Sequence, residues 1–184
     1  MRSLVASAIV LACTFSSQAH RLDEYLQATR ITLAMNQIEL AIDLTPGVSI
    51  AQELLQSIDP NGGVRIGSNQ GTNYAQRVIQ DLVLDLDGKR QQIRLSKATF
   101  PARADMSAGE GTIHVHAVAK ISTLKPGQHE LFFRNSHLNK ISVYLVNALV
   151  PVSKSIQITN QSRDNLQKEY RLSFEVKPVK PKAP

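Results

Sequence analysis

Ile38-Glu39-Leu40-Ala41-Ile42-Asp43-Leu44 decides the fold. Apolar residues fall at every second position, the period of an extended strand, so Ile38, Leu40, Ile42 and Leu44 share one face. The stretch before it, Tyr25 to Met35, reads as a hairpin partner joined near Asn36-Gln37. Leu82, Leu84 and Leu86 alternate in the same way. Asp87-Gly88 then supplies a tight turn, because glycine tolerates positive φ. Ile93 and Leu95 are expected on the return strand. Further strands are expected at 111–121, 129–134, 141–146, 155–159 and 169–176. In the last of these, Tyr170, Leu172, Phe174 and Val176 share a face. About nine short strands separated by turn signals predict a mainly β chain, an antiparallel β-sandwich.

One region keeps a different period. Ile50, Leu54, Leu55 and Ile58 have helical spacing, as do Tyr74, Ala75, Val78, Ile79 and Leu82. A helix-loop-helix is therefore expected as an insertion at about 49–82. Two helices around a loop of about twelve residues suggest an EF-hand, whose calcium ligands sit at loop positions 1, 3, 5 and 12, with glycine at position 6. Counted from Asp59, the loop has Asp59 at position 1 and Asn61 at position 3. It then departs. Gly63 at position 5 has no side-chain oxygen, Val64 stands where glycine is wanted, and Gln70 at position 12 is neutral. The set Asp59, Asn61 and Gln70 reads as a degenerate calcium loop that should not hold Ca²⁺ tightly.

The N-terminus carries a different signal. Met1-Arg2 is followed by an apolar run from Leu4 to Phe15, then by Ser17 and Ala19 at small-x-small spacing. This predicts a cleavable signal peptide over 1–19, a mature chain beginning at His20, and a periplasmic or secreted location. The run is shorter than the roughly 20 residues a membrane helix needs. Val10-Leu11-Ala12-Cys13 offers a competing lipoprotein cleavage box. Cys13 is the only cysteine, so the processed chain would use neither disulfide nor thiolate chemistry. The segment 177–184 is rich in proline and lysine and is expected to be an extended tail. The domain between, 20–176, is long enough for one core.

The net charge is +6, and loss of Arg2 with the leader leaves 20 basic residues against 15 acidic. The cations are scattered outside the tail and are not interleaved with aromatics, which argues against nucleic acid. Catalytic signatures are missing: no G-x-S-x-G, no H-E-x-x-H and no phosphate loop. Asp85 and Asp87 share a strand face but precede a glycine turn, the setting of solvated hairpin charges. The expectation is a protein that is not an enzyme.

The histidines suggest metals. His114 and His116 flank Val115 on an expected strand, so both imidazoles face one way, about 7 Å apart at Cα. They could ligate Cu²⁺ or Ni²⁺ with a third ligand the sequence does not identify, His129 and His137 being the remaining histidine candidates. His20, at a processed N-terminus, would add a free α-amine to its imidazole as a chelate.

Three stretches carry a resemblance: Ala19-His20-Arg21-Leu22-Asp23-Glu24-Tyr25-Leu26-Gln27-Ala28, Ile42-Asp43-Leu44-Thr45-Pro46-Gly47-Val48, and Tyr144-Leu145-Val146-Asn147-Ala148-Leu149-Val150-Pro151. They resemble a family of exported bacterial β-rich domains with an EF-hand-like loop. Some similar domains precede a membrane region like the HupE/UreJ permeases. The resemblance implies an extracytoplasmic domain where Asp59 to Gln70 forms the loop. It does not carry over calcium binding, given Gly63, Val64 and Gln70, nor transport. The sequence therefore predicts an exported non-catalytic binding or accessory module, with an envelope or membrane protein as its partner. The alternative is a periplasmic Cu/Ni carrier; a calcium-binding EF-hand protein is third.

Overall fold

A computed structural model describes residues 23–178. The expected leader, His20, and the tail beyond Pro178 lie outside the described residues. The chain is mainly β, with ten strands in two five-stranded sheets among the described residues.

The first sheet holds β1 (Tyr25–Ala34), β2 (Gln37–Pro46), β5 (Arg94–Thr99), β6 (Ile113–Lys120) and β8 (Ser142–Ala148), in the order β5-β6-β2-β1-β8. The second holds β3 (Leu82–Leu86), β4 (Lys89–Arg90), β7 (Gly127–Asn135), β9 (Ile156–Arg163) and β10 (Glu169–Val176), in the order β4-β3-β7-β10-β9. Alternation sets the faces. Ile38, Leu40, Ile42 and Leu44 are all buried, and so are Tyr170, Leu172, Phe174 and Val176. The two sets meet in one core cluster. Removing this apolar area from water is the main source of stability.

Three helices complete the described chain: α1 (Val48–Ile58), α2 (Ser68–Gln80) and the short α3 (Arg103–Ser107). α1 and α2 carry the chain from β2 in the first sheet to β3 in the second. They bury Leu54, Leu55 and Ile58, and Tyr74, Ala75, Val78 and Ile79, in the shared core. Gly71 lets α2 lie close on the Phe100 ring: a Cβ there would come within 2.7 Å of it.

Two expectations need correction. The sheets are not antiparallel throughout, since β8 runs parallel to β1, from Tyr25 opposite Ser142 to Ile31 opposite Ala148. A parallel pair needs a crossover between its strands, and here β3, β4 and β7 of the second sheet all lie within that interval. The hairpin at Asp87-Gly88 is also shorter than expected. Asp87 and Gly88 do take positive φ, 51° and 74°. The return strand β4 ends after Arg90, however, and Leu95 belongs to β5, paired with β6 in the other sheet.

Candidate functional site

The loop after α1 gathers its groups around an arginine. Asp59, 4% exposed, caps the end of α1. Its Oδ2 lies 3.2 Å from Nη2 of Arg103, and that same Nη2 donates to the Asp59 carbonyl at 2.5 Å. The backbone N–H of Asn61 donates to Asp59 Oδ1 at 3.3 Å. A guanidinium from α3 thus stands against the carboxylate at loop position 1. Gln70 lies in the first turn of α2, folded over Gly67, whose missing side chain leaves the room. Positive φ in the loop falls at Gly62, position 4, not at Val64. A fixed cation and a displaced turn both oppose an EF-hand coordination sphere. Adding millimolar Ca²⁺ is expected to leave the melting temperature unchanged; a rise of several degrees in a thermal scan would contradict this.

The outer face of the first sheet holds the histidine pair. His114 and His116 are exposed on β6, while Ile113, Val115 and Ala117 point into the core. His114 Nδ1 is 2.7 Å from Asp43 Oδ1 on β2, and the other oxygen of Asp43 accepts from Arg30 Nη1 at 2.6 Å. Burial alone would raise the Asp43 pKa; hydrogen bonds from Arg30 and His114 outweigh it, and the net shift is downward. His116 opens into a shallow depression of about 560 Å³, with Lys97, Glu39 and Lys120 on its walls. Among the described residues, no three His, Cys, Asp or Glu side chains gather closely enough to hold a metal ion.

The other two described histidines are structural. His129 stacks on Phe174 with its ring centroid 5.4 Å away. Its Nδ1 meets Asp87 Oδ2 at 2.7 Å and its Nε2 meets the Lys125 carbonyl at 2.8 Å. Burial lowers its pKa, but two acceptors call for two N–H donors, and the net shift is upward. Asp87 also accepts from the Glu130 N–H at 2.9 Å, and Asp85 pairs with Arg90 at 2.5 Å. These two carboxylates hold the β3–β4 turn.

His137 is 4% exposed and belongs to a network the sequence did not reveal. Its Nδ1 is 2.7 Å from Asp81 Oδ2, and its Nε2 is 3.1 Å from the Tyr74 hydroxyl, which in turn lies 2.6 Å from the Tyr25 hydroxyl. With neutral His137 the donors run one way: Tyr25 to Tyr74, Tyr74 to Nε2, and Nδ1–H to Asp81. Gln27 holds the backbone beneath. Its Nε2 donates to the His137 carbonyl at 2.8 Å, and its Oε1 accepts from Asn135 Nδ2 at 2.9 Å. The network joins α2, β1 and the β7–β8 loop. Tyr74 and Tyr25, 2% and 0% exposed, turn their hydroxyls on each other inside the protein.

Periodicity also gave no sign of an apolar band along β8 and the segments that flank it. Leu138, Ile141, Val143, Leu145, Leu149, Val150 and Val152 are all exposed, Val150 by 89% and Val152 by 76%. Leu26 on β1 stands opposite Val143, and Ala28 opposite Leu145, which widens the band by one strand. β8 is also a sheet edge. Part of that edge is covered: Arg163 Nε donates to the Val146 carbonyl at 2.8 Å, and the Ala148 N–H donates to the Tyr170 hydroxyl at 3.2 Å. Among the described residues, no helix is long and apolar enough to cross a membrane.

Searches against family models, curated proteins and solved structures returned no match.

Proposed function

We propose that the chain is an exported, non-catalytic binding or accessory module, built as a β-sandwich, that docks on the cell envelope through the β8 edge of its first sheet. The observation that carries this reading is the exposed band from Leu138 to Val152. Large contiguous apolar patches are costly on a free surface and usually mark a place where something binds. The secretory character of residues 1–19 and the resemblance of the maturation-point motif to exported bacterial domains support the location. The His137 imidazole and the Tyr74 hydroxyl, an arrangement that could serve catalysis in an open cleft, are buried, which supports a binding role over chemistry.

In fractionated cells the native chain is expected to sediment with the envelope. A Val150→Asp, Val152→Asp variant should move to the soluble fraction with an unchanged melting temperature, because both side chains are exposed. An unaltered distribution would remove the reading.

A second reading, a Cu²⁺ or Ni²⁺ carrier, is favoured by one contact. The Nδ1 of His114 is held by Asp43, which orients Nε2 outward beside His116 in the manner of a carboxylate-supported metal ligand. Asp43→Asn should then weaken Cu²⁺ binding about tenfold in calorimetric titration. Equal Cu²⁺ affinity in the native chain and in a His20→Ala, His114→Ala, His116→Ala variant would eliminate the carrier reading.

A further inference from the structure

The apolar band shares its sheet face with an array of cations. The outer face of the first sheet carries Arg30, Lys97 and Lys120 as well as His114 and His116, against Asp43 and Glu39. Arg30 and Asp43 neutralise each other, and Asp43 also holds His114, so Lys97 and Lys120 stand against Glu39. From Leu131 to Arg163 the sequence contains no acidic residue, and this stretch supplies all of the band except Leu26 and Ala28, together with Lys140 and Lys154. The Lys177 N–H donates to the Ser155 carbonyl at 2.8 Å, beside the loop of Val152 and Lys154.

Three occupants compete for this surface. A strand added to the β8 edge would need the backbone groups of Val146 and Ala148, which Arg163 and Tyr170 already hold. A second copy of the chain would bring the same cations against one another. A bilayer with anionic headgroups asks for neither free backbone nor a shaped groove: aliphatic side chains enter the acyl boundary while lysines meet the phosphates.

We propose that Val143 and Leu145 on the outer face of β8, together with Val150 and Val152 in the segment that follows the strand, form a docking surface for an anionic lipid layer. This rests on the envelope-docking reading above and names the partner.

The full chain contains no tryptophan, so Val150→Trp introduces a single reporter at an exposed position. The probe is a vesicle of phosphatidylglycerol and phosphatidylcholine with brominated acyl chains, which quench an inserted indole. Val64→Trp, in the α1–α2 loop and 86% exposed, is the control. The expected result is strong quenching at position 150 and little at position 64. Binding should be weaker on the order of tenfold when the vesicles are phosphatidylcholine alone, and should weaken further with added salt. A chain held only by its apolar N-terminal residues would quench both positions alike or neither, and either result overturns the proposal. If sedimentation with the envelope depends on Val150 and Val152 while the indole of the Val150→Trp variant stays unquenched, the lipid partner is refuted and a membrane protein takes its place. If sedimentation does not depend on them, the docking reading falls as well.

Discussion

Arg103→Ala is expected to lower the unfolding free energy by about 3 to 5 kcal/mol and the melting temperature by on the order of 10 °C. Asp59 is buried at the end of α1, and Arg103 meets both its carboxylate and its carbonyl. Alanine would leave a carboxylate in the interior with only the Asn61 N–H for company. The cost is therefore mainly that of an unpaired buried charge, not of a lost contact. Adding Asp59→Asn to Arg103→Ala should recover part of the loss, because the charge is then gone. Chemical denaturation of the three variants checks both statements. A loss below about 1 kcal/mol for Arg103→Ala would mean that water already shields Asp59.

His137→Ala is expected to cost about 3 kcal/mol at pH 7.5, through the cavity it opens and the loss of one of the two partners of the buried Tyr74 hydroxyl, which keeps only Tyr25. This cost should depend on pH. Burial lowers the pKa of His137 below its ordinary 6.5, against the pull of Asp81, while Arg77 lowers it further. A histidine whose folded pKa is depressed contributes stability above its unfolded pKa and loses it as pH falls through the folded value. The window thus opens near pH 6.5 and extends downward. Protonation at Nε2 would also reverse the Tyr74 hydroxyl, which then could not donate to His137. The difference in stability between the native chain and His137→Ala should therefore narrow between about pH 7.5 and about pH 5. His129 acts in the opposite sense: its raised pKa contributes stability below pH 6.5 that is lost as pH rises through the folded value. It is common to both proteins and cancels in their difference. A constant difference across this range would show that folding leaves the His137 pKa unshifted.

The elements that sequence revealed are those whose burial is periodic. Ile38 to Leu44 and Tyr170 to Val176 form strands with the expected inward faces, and Tyr74, Ala75, Val78 and Ile79 form the buried stripe of α2, whereas Leu82, expected on the same stripe, opens β3 after the helix has ended at Gln80. Pairing was less legible, because period 2 assigns a face but not a neighbour. Nothing local to Tyr144 announces that its strand runs parallel to β1, or that Leu95 changes sheets. α3 escapes notice because five residues with one buried side chain, Met106, leave no stripe to read. Arg103, the cation that meets Asp59, is equally silent: its partner lies 44 residues away. The Tyr25–Tyr74–His137–Asp81 chain draws its members from three separated segments, and single polar residues on apolar faces carry no spacing signal. Val143 and Leu145 fall within an expected strand. Their alternation with Tyr144 and Val146 does not say that both faces of β8 are apolar, one of them outward.

The parallel pairing of β1 with β8 also orders events in time. Gln27 and its partner Ser142 are 115 residues apart in the chain, so the first strand to emerge waits for one of the last pieces that completes its sheet. Loop closure over such a distance is slow, and its entropy is spent before the contacts repay it. A nascent chain would form the β1–β2 hairpin early and keep the β8 side of β1 open until nearly everything else has been made. That delay leaves the half-built sheet open to proteases and chaperones while the rest of the chain is made.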